Sequence, residues 1–140
     1  MQKNKHKKWR LIVDVNAWIS SLLSPGFNDR LAIVFSSRYQ LMVSEQLLRE
    51  LDRTVHKPHL AKRIGQANYE SLVSQLRVRA ELVEVLSVVD ACRDPKDNYL
   101  LALAKDGDAD YLITGDLDLL TMEQFEKTKI VKLSDFVELV

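Results

Sequence analysis

The stretch LIVDVN at residues 11–16 places an acid and an amide directly after a short apolar run. Four more apolar runs of similar length follow at residues 41–43, 82–85, 111–113 and 130–131. Runs of this length, several of them rich in β-branched side chains, are typical of buried strands. The sequence therefore predicts five strands.

Amphipathic patterns with helical spacing separate these runs. They cover residues 17–23, 29–37, 45–55, 67–79, 96–105 and 134–139. Strands that alternate with helices favour right-handed crossovers and a parallel sheet covered by helices on both faces. We therefore expect an α/β fold, in which ligands bind beyond the carboxyl ends of the strands.

Length and composition indicate one compact domain: 140 residues, 46% hydrophobic and 29% charged. No apolar run approaches the roughly 18 residues of a membrane span, and the basic N-terminus lacks the pattern of a secretory signal. Cys92 is the only cysteine, which excludes an internal disulfide and suits a reducing compartment. We predict a cytoplasmic protein that does not enter a membrane.

Charge is unevenly distributed although the formal net charge is zero. The first ten residues contain no acid and five positive charges, at Lys3, Lys5, Lys7, Lys8 and Arg10. Such a segment either attracts nucleic acid or is simply a solvated end. We predict a basic, flexible tail at residues 1–9 and a single domain at residues 10–140.

Four acids fall in four different strand-to-helix connections. Asp14 ends the first strand, Asp97 lies in the first turn of the helix after the third, and Asp116 follows the fourth. Glu50 lies within the helix after the second strand. Because parallel strands deliver these connections to one edge of the sheet, we expect the carboxylates to converge there.

Converging carboxylates repel one another and raise each other's pKa unless a cation neutralises them. A hard divalent ion such as Mg²⁺ or Mn²⁺ suits an all-oxygen cluster, and the lack of a His/Cys set disfavours zinc. Such an ion can activate water and stabilise the charge that develops on a phosphodiester during attack. Asn16 is placed to orient a ligand or a water.

Each acid also has a structural alternative. Asp14 is placed to cap the helix that follows it. The helical wheel does not choose among Glu45, Glu50 and Asp52, which all lie off the apolar stripe. Asp94, which precedes a proline, looks like an N-cap.

Four motifs carry a resemblance to a known family. They are DxN at 14–16, SExxxxEL at 44–51, DPxD at 94–97 followed by LLALA at 100–104, and TGDxDL at 114–119. In this order and spacing the chain resembles the PIN domain family from about Arg10 to Leu139. Within that family it is most similar to the toxins of toxin–antitoxin systems, the VapC-like ribonucleases.

The resemblance implies a three-layer α/β/α domain with a mainly parallel five-stranded sheet and a metal-dependent endoribonuclease activity on single-stranded RNA. It implies homodimers and a small antitoxin partner. The implied acidic quartet is Asp14, Glu50, Asp97 and Asp116. Of these, metal would be held by Asp14, Asp97 and Asp116, and Glu50 would complete the shell or help to deprotonate water. The implied supporting residues are Asn16, Thr114 and Asp118.

Three functions remain open from the sequence. The first is the nuclease. The second is a Mg²⁺-dependent phosphoryl-transfer or receiver-like domain, and the third is a catalytically silent PIN-like module that binds RNA or protein. A basic stretch, which is either an RNA contact or an exposed helix face, comprises Lys57, His59, Lys62 and Arg63.

Overall fold

The computed structural model describes residues 7–139 of the chain. Its strands are β1 (Trp9–Val13), β2 (Tyr39–Val43), β3 (Glu81–Leu82), β4 (Tyr111–Ile113), β5 (Gln124–Phe125) and β6 (Thr128–Val131). They form one sheet in the order β3-β2-β1-β4-β6-β5, and every neighbouring pair is parallel except β5 with β6. The prediction for residues 1–6 lies outside the described residues, and Trp9 already belongs to β1.

The helices of the described chain are α1 (Val15–Leu23), α2 (Pro25–Leu31), α3 (Glu45–Val55), α4 (Pro58–Ile64), α5 (Gln66–Arg79), α6 (Asn98–Asp106), α7 (Leu117–Leu120) and α8 (Leu133–Leu139). Two 3₁₀ turns occupy Ala32–Phe35 and Pro95–Asp97. Among residues 7–139 no helix has both the length and the apolar character needed to cross a membrane.

The three-layer α/β prediction is confirmed. Leu11, Ile12 and Val13 of the central strand β1 are each at most 1% exposed. Since successive side chains of a strand point to opposite faces, both faces of the sheet are covered. Helix α6 is buried along five consecutive residues, Leu100 to Ala104, as a helix in such a layer requires.

The sheet has one more strand than predicted. Gln124 and Phe125 pair antiparallel with Lys129 and Thr128 at the edge of the sheet. Hairpin turns are usually announced by Asn-Gly or Asp-Gly pairs, but here Glu126 takes the positive φ of 50°. The sequence therefore carries no recognisable turn for this hairpin.

The third strand is shorter than the apolar run at 82–85 suggests. The amide of Val83 still donates to the carbonyl of Val43 over 2.8 Å. Beyond it, the amides of Leu86 and Ser87 donate to the Asp106 carboxylate at 2.7 and 2.8 Å. The Asp106 carboxylate on α6 thus binds two amides that would otherwise pair with a neighbouring strand.

Two helical segments also differ from expectation. The pattern at 29–37 is divided between α2, which begins after the Ser24 cap, and a 3₁₀ turn. Helix α4 is absent from the predicted set, although Pro58 at its first position is a known start signal. Its seven residues are too few for a clear apolar stripe.

Strand order and register position the site. Strand β1 lies between β2 and β4. The chain therefore builds the sheet first to one side of β1, through β2 and β3, and then to the other side, through β4. Open parallel sheets bind ligands at such a switch point, beyond the carboxyl ends of the strands. Val13 is in register with Ile113, and the amide of Asp14 donates to the Ile113 carbonyl over 2.9 Å. Asp14 and Thr114 therefore leave the sheet side by side.

Candidate metal centre

Asp14 lies at the bottom of the site, 4% exposed, directly beyond β1. The Thr114 hydroxyl donates to its Oδ2 over 2.7 Å. Asp14 occupies the N-cap position of α1, but its side chain makes no capping hydrogen bond. The capping role considered from the sequence is thus not what holds this carboxylate in place.

Burial raises the pKa of Asp14 above its usual value, and the charge of Asp116 raises it further. The Thr114 hydroxyl lowers the pKa because it favours the ionised form, and so do the nearby amides of Asn16 and Val15, although their geometry falls short of a capping hydrogen bond. The net effect is a buried carboxyl that is harder to ionise than a free one. A bound cation would remove that penalty.

Asp97 ends the 3₁₀ turn before α6 and is partly buried. Burial raises its pKa to about 7, helped by a hydrogen bond that only the protonated form can donate to Asp116 and by the charges of Asp116, Asp14 and Asp94. Within the described chain its buried Oδ2 has no hydrogen-bond partner. A buried acceptor left unpaired is costly, so this oxygen is suited to a metal ion.

Asp116 follows β4 and caps α7, with its Oδ1 accepting from the Asp118 amide over 2.8 Å. Its own amide donates to the Thr114 hydroxyl oxygen over 3.0 Å. The Thr114 hydroxyl therefore accepts a hydrogen bond from the Asp116 amide and donates one to the Asp14 carboxylate. Thr114 fixes the separation between the connections that carry Asp14 and Asp116.

The Thr114 hydroxyl gives a direct prediction. In Thr114→Val the Asp14 oxygen loses its donor inside a buried site, so we expect the protein to lose about 1–3 kcal/mol of stability at neutral pH. The pKa of Asp14 should rise further. Denaturant unfolding of this variant beside Thr121→Val, an exposed threonine on the C-terminal side of α7, measures the difference. Equal stability of the two variants would contradict the assigned role.

Two groups of acids share Asp97. Carboxylate oxygens of Asp94, Asp97 and Asp118 lie within 4.8 Å of one another. Arg93, however, neutralises Asp118 through its Nε at 2.7 Å and Nη2 at 2.6 Å. Asp94 caps the 3₁₀ turn by accepting from the Lys96 amide over 3.1 Å, as expected from the sequence.

Asp14 and Asp116, by contrast, have no cationic partner among the residues that the structure describes. They interact with Asp97 strongly enough to raise its pKa. Asp14, Asp97 and Asp116 are therefore the acids of the site that form no ion pair with a described residue.

Glu50 lies on α3 with part of its surface exposed, and it forms an ion pair with Arg53 one turn later. Tyr99 on α6 is the link between Glu50 and the other acids. Burial and the charges of Asp14, Glu50 and Asp97 all raise the pKa of the Tyr99 hydroxyl, so it lies near all three. The site thus contains an aromatic side chain that the sequence motifs did not indicate.

The remaining predicted residues lie around this centre or outside it. Asn16 is exposed and lines a cleft of about 280 Å³ together with Thr114, Arg30 and Lys132. The four residues of the basic stretch, all exposed on α4 or just before it, are Lys57, His59, Lys62 and Arg63. A role for these four in binding RNA stays a prediction.

Comparison with known proteins agrees with this architecture. The family model described as PIN domain matches residues 10–118, the segment that contains β1 to β4 and all four acids. The chain is also similar to the uncharacterized protein MJ1680 of Methanocaldococcus jannaschii. The two are 25% identical over 138 residues, which is 96% of this chain and 87% of that protein. Because the family model matches most of the chain, this protein belongs to the PIN domain family.

Proposed function

We propose that this chain is a Mg²⁺- or Mn²⁺-dependent endoribonuclease that cuts single-stranded RNA, and that it is the cytoplasmic toxin of a toxin–antitoxin pair. The observation that carries the nuclease proposal is the uncompensated trio of Asp14, Asp97 and Asp116 at the switch point of the sheet, with a buried Asp97 oxygen lacking a partner. The toxin role, a small antitoxin and a homodimer rest on the resemblance alone.

The three aspartates would hold the ion, which when bound supplies activated water and charge stabilisation at the phosphodiester. Thr114 orients Asp14 through the 2.7 Å hydrogen bond and favours its ionised form. Glu50, which is paired with Arg53, would complete the metal shell or help to deprotonate water. Family chemistry implies products with a 5′-phosphate and a 3′-hydroxyl.

The surroundings of the trio favour a polyanionic substrate. The cleft beside Thr114 is lined by Arg30 and Lys132, both exposed, and by no acid. Cationic side chains of this kind bind phosphate oxygens and position a nucleic acid without reading its sequence. The backbone of a strand crossing the trio would therefore find cations on this side.

The test is Mn²⁺-dependent digestion of a mixed RNA pool with sequencing of the cut ends. We expect cleavage by the wild-type chain and none by Asp14→Asn. Asp108→Asn is the matched control. Asp108 is exposed and precedes β4, so it lies at the amino ends of the strands, away from the acids. Its φ of 56° is one that Asn readily adopts. Loss of cleavage in Asp108→Asn as well would show that the effect of Asp14→Asn is not specific to the acidic site.

Two further measurements separate the rival functions. Turnover of a phosphomonoester without cleavage of RNA would establish the phosphoryl-transfer alternative. Mn²⁺ binding to the wild-type chain and weak binding to Asp14→Asn, measured by calorimetry, would establish the metal site. A chain that binds neither Mn²⁺ nor cuts RNA would be the silent PIN-like module.

The toxin role needs a cellular test. Expression of the wild-type chain should arrest bacterial growth, whereas Asp14→Asn at the same expression level should not. Arrest by both forms would show that the growth defect is independent of the acidic site.

A further inference from the structure

A second and larger cleft lies between α3 and α6. Its volume is about 620 Å³, and its walls come from the start of α3, from the extended chain at residues 82–89 and from the start of α6. The lining residues Asn98 and Tyr99 directly follow Asp97 in the chain. The cleft therefore opens onto the candidate metal centre.

Helix α3 joins the cleft to the acids along one surface. Gln46 and Arg49 line the cleft, and Glu50 and Arg53 follow each of them by four residues. Side chains four residues apart on a helix are neighbours about 6 Å apart. A group bound beside Gln46 thus lies next to the position where a phosphodiester would meet Glu50.

The walls differ in character. Val85 and Val89 provide half-buried apolar surface on one side, and the exposed side chains of Gln46 and Arg49 are on the other. Tyr99, two residues after Asp97, adds an aromatic ring to the lining. Apolar walls with a few polar groups characterise sites for planar organic ligands, and this volume is within their usual range.

Charge distinguishes this cleft from the one beside Thr114. Its charged lining residues are Glu45, Glu84 and Arg49, so acids outnumber the cation. Glu45 is drawn toward Arg77 at 3.6 Å, whereas Glu84 has no ion-pair partner in the part of the chain described here. A phosphate would be repelled, but an uncharged base that offers an amino group to a carboxylate would not.

We propose that this cleft binds one unpaired RNA base adjacent to the scissile phosphodiester, with Tyr99 as a stacking surface and with Glu84 and Gln46 selecting bases that carry an exocyclic amino group. Cytosine is then preferred to uracil, since the two rings differ where an amino group replaces a carbonyl oxygen. The position relative to the cut rests on the proposed nuclease function, but the binding preference does not.

The binding test does not require cleavage. Labelled tetranucleotides of cytidine and of uridine are titrated into the Asp14→Asn full-length chain, with fluorescence anisotropy as the readout. We expect the cytidine probe to bind at least about fivefold more tightly, the lower end of what one base contact contributes. Glu84→Gln and Gln46→Leu, each combined with Asp14→Asn, should reduce the ratio toward one.

Gln75→Leu is the matched control, because Gln75 is exposed on α5 and lines neither the cleft nor the acid site. It should leave the cytidine-to-uridine ratio unchanged. Equal affinity for the two probes, or a preference that survives both Glu84→Gln and Gln46→Leu, would overturn the proposal.

Cut-end sequencing gives the second readout. Uracil should be depleted at one position next to the cut by the wild-type chain and restored there by Glu84→Gln. Absence of any cleavage counts against the nuclease assignment only, and the tetranucleotide ratio still decides the base site. Cleavage with the same base frequencies in wild type and Glu84→Gln would count against the base site only.

Discussion

Replacing Asp97 with asparagine is expected to abolish RNA cleavage and at the same time to stabilise the metal-free protein. Even groups that only orient metal ligands cost about 10–100-fold when removed, so loss of a ligand should exceed 100-fold. Stability should rise because the neutral amide avoids both the burial of a charge and the repulsion by neighbouring acids, which together raise the pKa of Asp97 to about 7.

Two measurements on Asp97→Asn are needed together: cleavage rate with Mn²⁺, and thermal melting in a chelator at neutral pH. Asp108→Asn again serves as the control, since it removes an exposed acid that is paired with Lys127 at 3.1 Å. A variant that lost activity through misfolding would melt earlier than wild type. Retention of cleavage within about tenfold would be incompatible with a ligand role, since even outer-shell losses commonly cost that much.

Metal-free wild-type protein should become less stable as the pH rises from about 4 to about 7. The folded-state pKa of Asp97 lies near 7 and its ordinary value is 3.8. Between these values the folded chain keeps a proton that the unfolded chain has released, so raising the pH favours unfolding. Asp14 contributes in the same direction, because its pKa is raised too. Allowing for solvent screening of a partly exposed group, we expect a loss of about 1–2 kcal/mol.

Mn²⁺ should reverse this trend, because a metal binds the ionised carboxylates and competes with protons. Melting temperatures with chelator and with Mn²⁺ should therefore diverge as the pH rises. Subtracting the stability–pH profile of Asp97→Asn from that of the wild type removes the contribution of the other titrating groups. A wild-type profile identical in slope to that of Asp97→Asn would refute the coupling between this carboxyl and folding.

Parallel sheets bind ligands beyond the carboxyl ends of their strands, and this property made part of the site predictable from the sequence. Asp14 directly follows β1 and Asp116 comes three residues after the end of β4, so their convergence depends mainly on strand order. Asp97 could be placed at the rim of the core because Leu100, Leu101 and Ala104 share its helical face. Each of these inferences uses contacts close in sequence or a general property of parallel sheets.

Other features depend on side-chain contacts between distant residues. Asp118 is neutralised by Arg93, which is 25 residues away, and no periodicity indicates that pair. Tyr99 reaches the acids because α6 packs beside α3, which the sequence of α6 does not reveal. The Glu50–Arg53 pair is different: its spacing of three residues on a helix was a usable indication.

Helix α6 sets the distance between the acids and the segment that forms one wall of the large cleft. Asp97 and Tyr99 stand at its beginning, while Asp106 at its end holds the amides of Leu86 and Ser87. Nine residues of helix fix these two attachments about 13 Å apart. Sequence drift in the segment anchored by Asp106 can therefore reshape the wall of the large cleft without moving the aspartates. Under the proposed function, relatives that keep the acids can differ in the base that this cleft accepts.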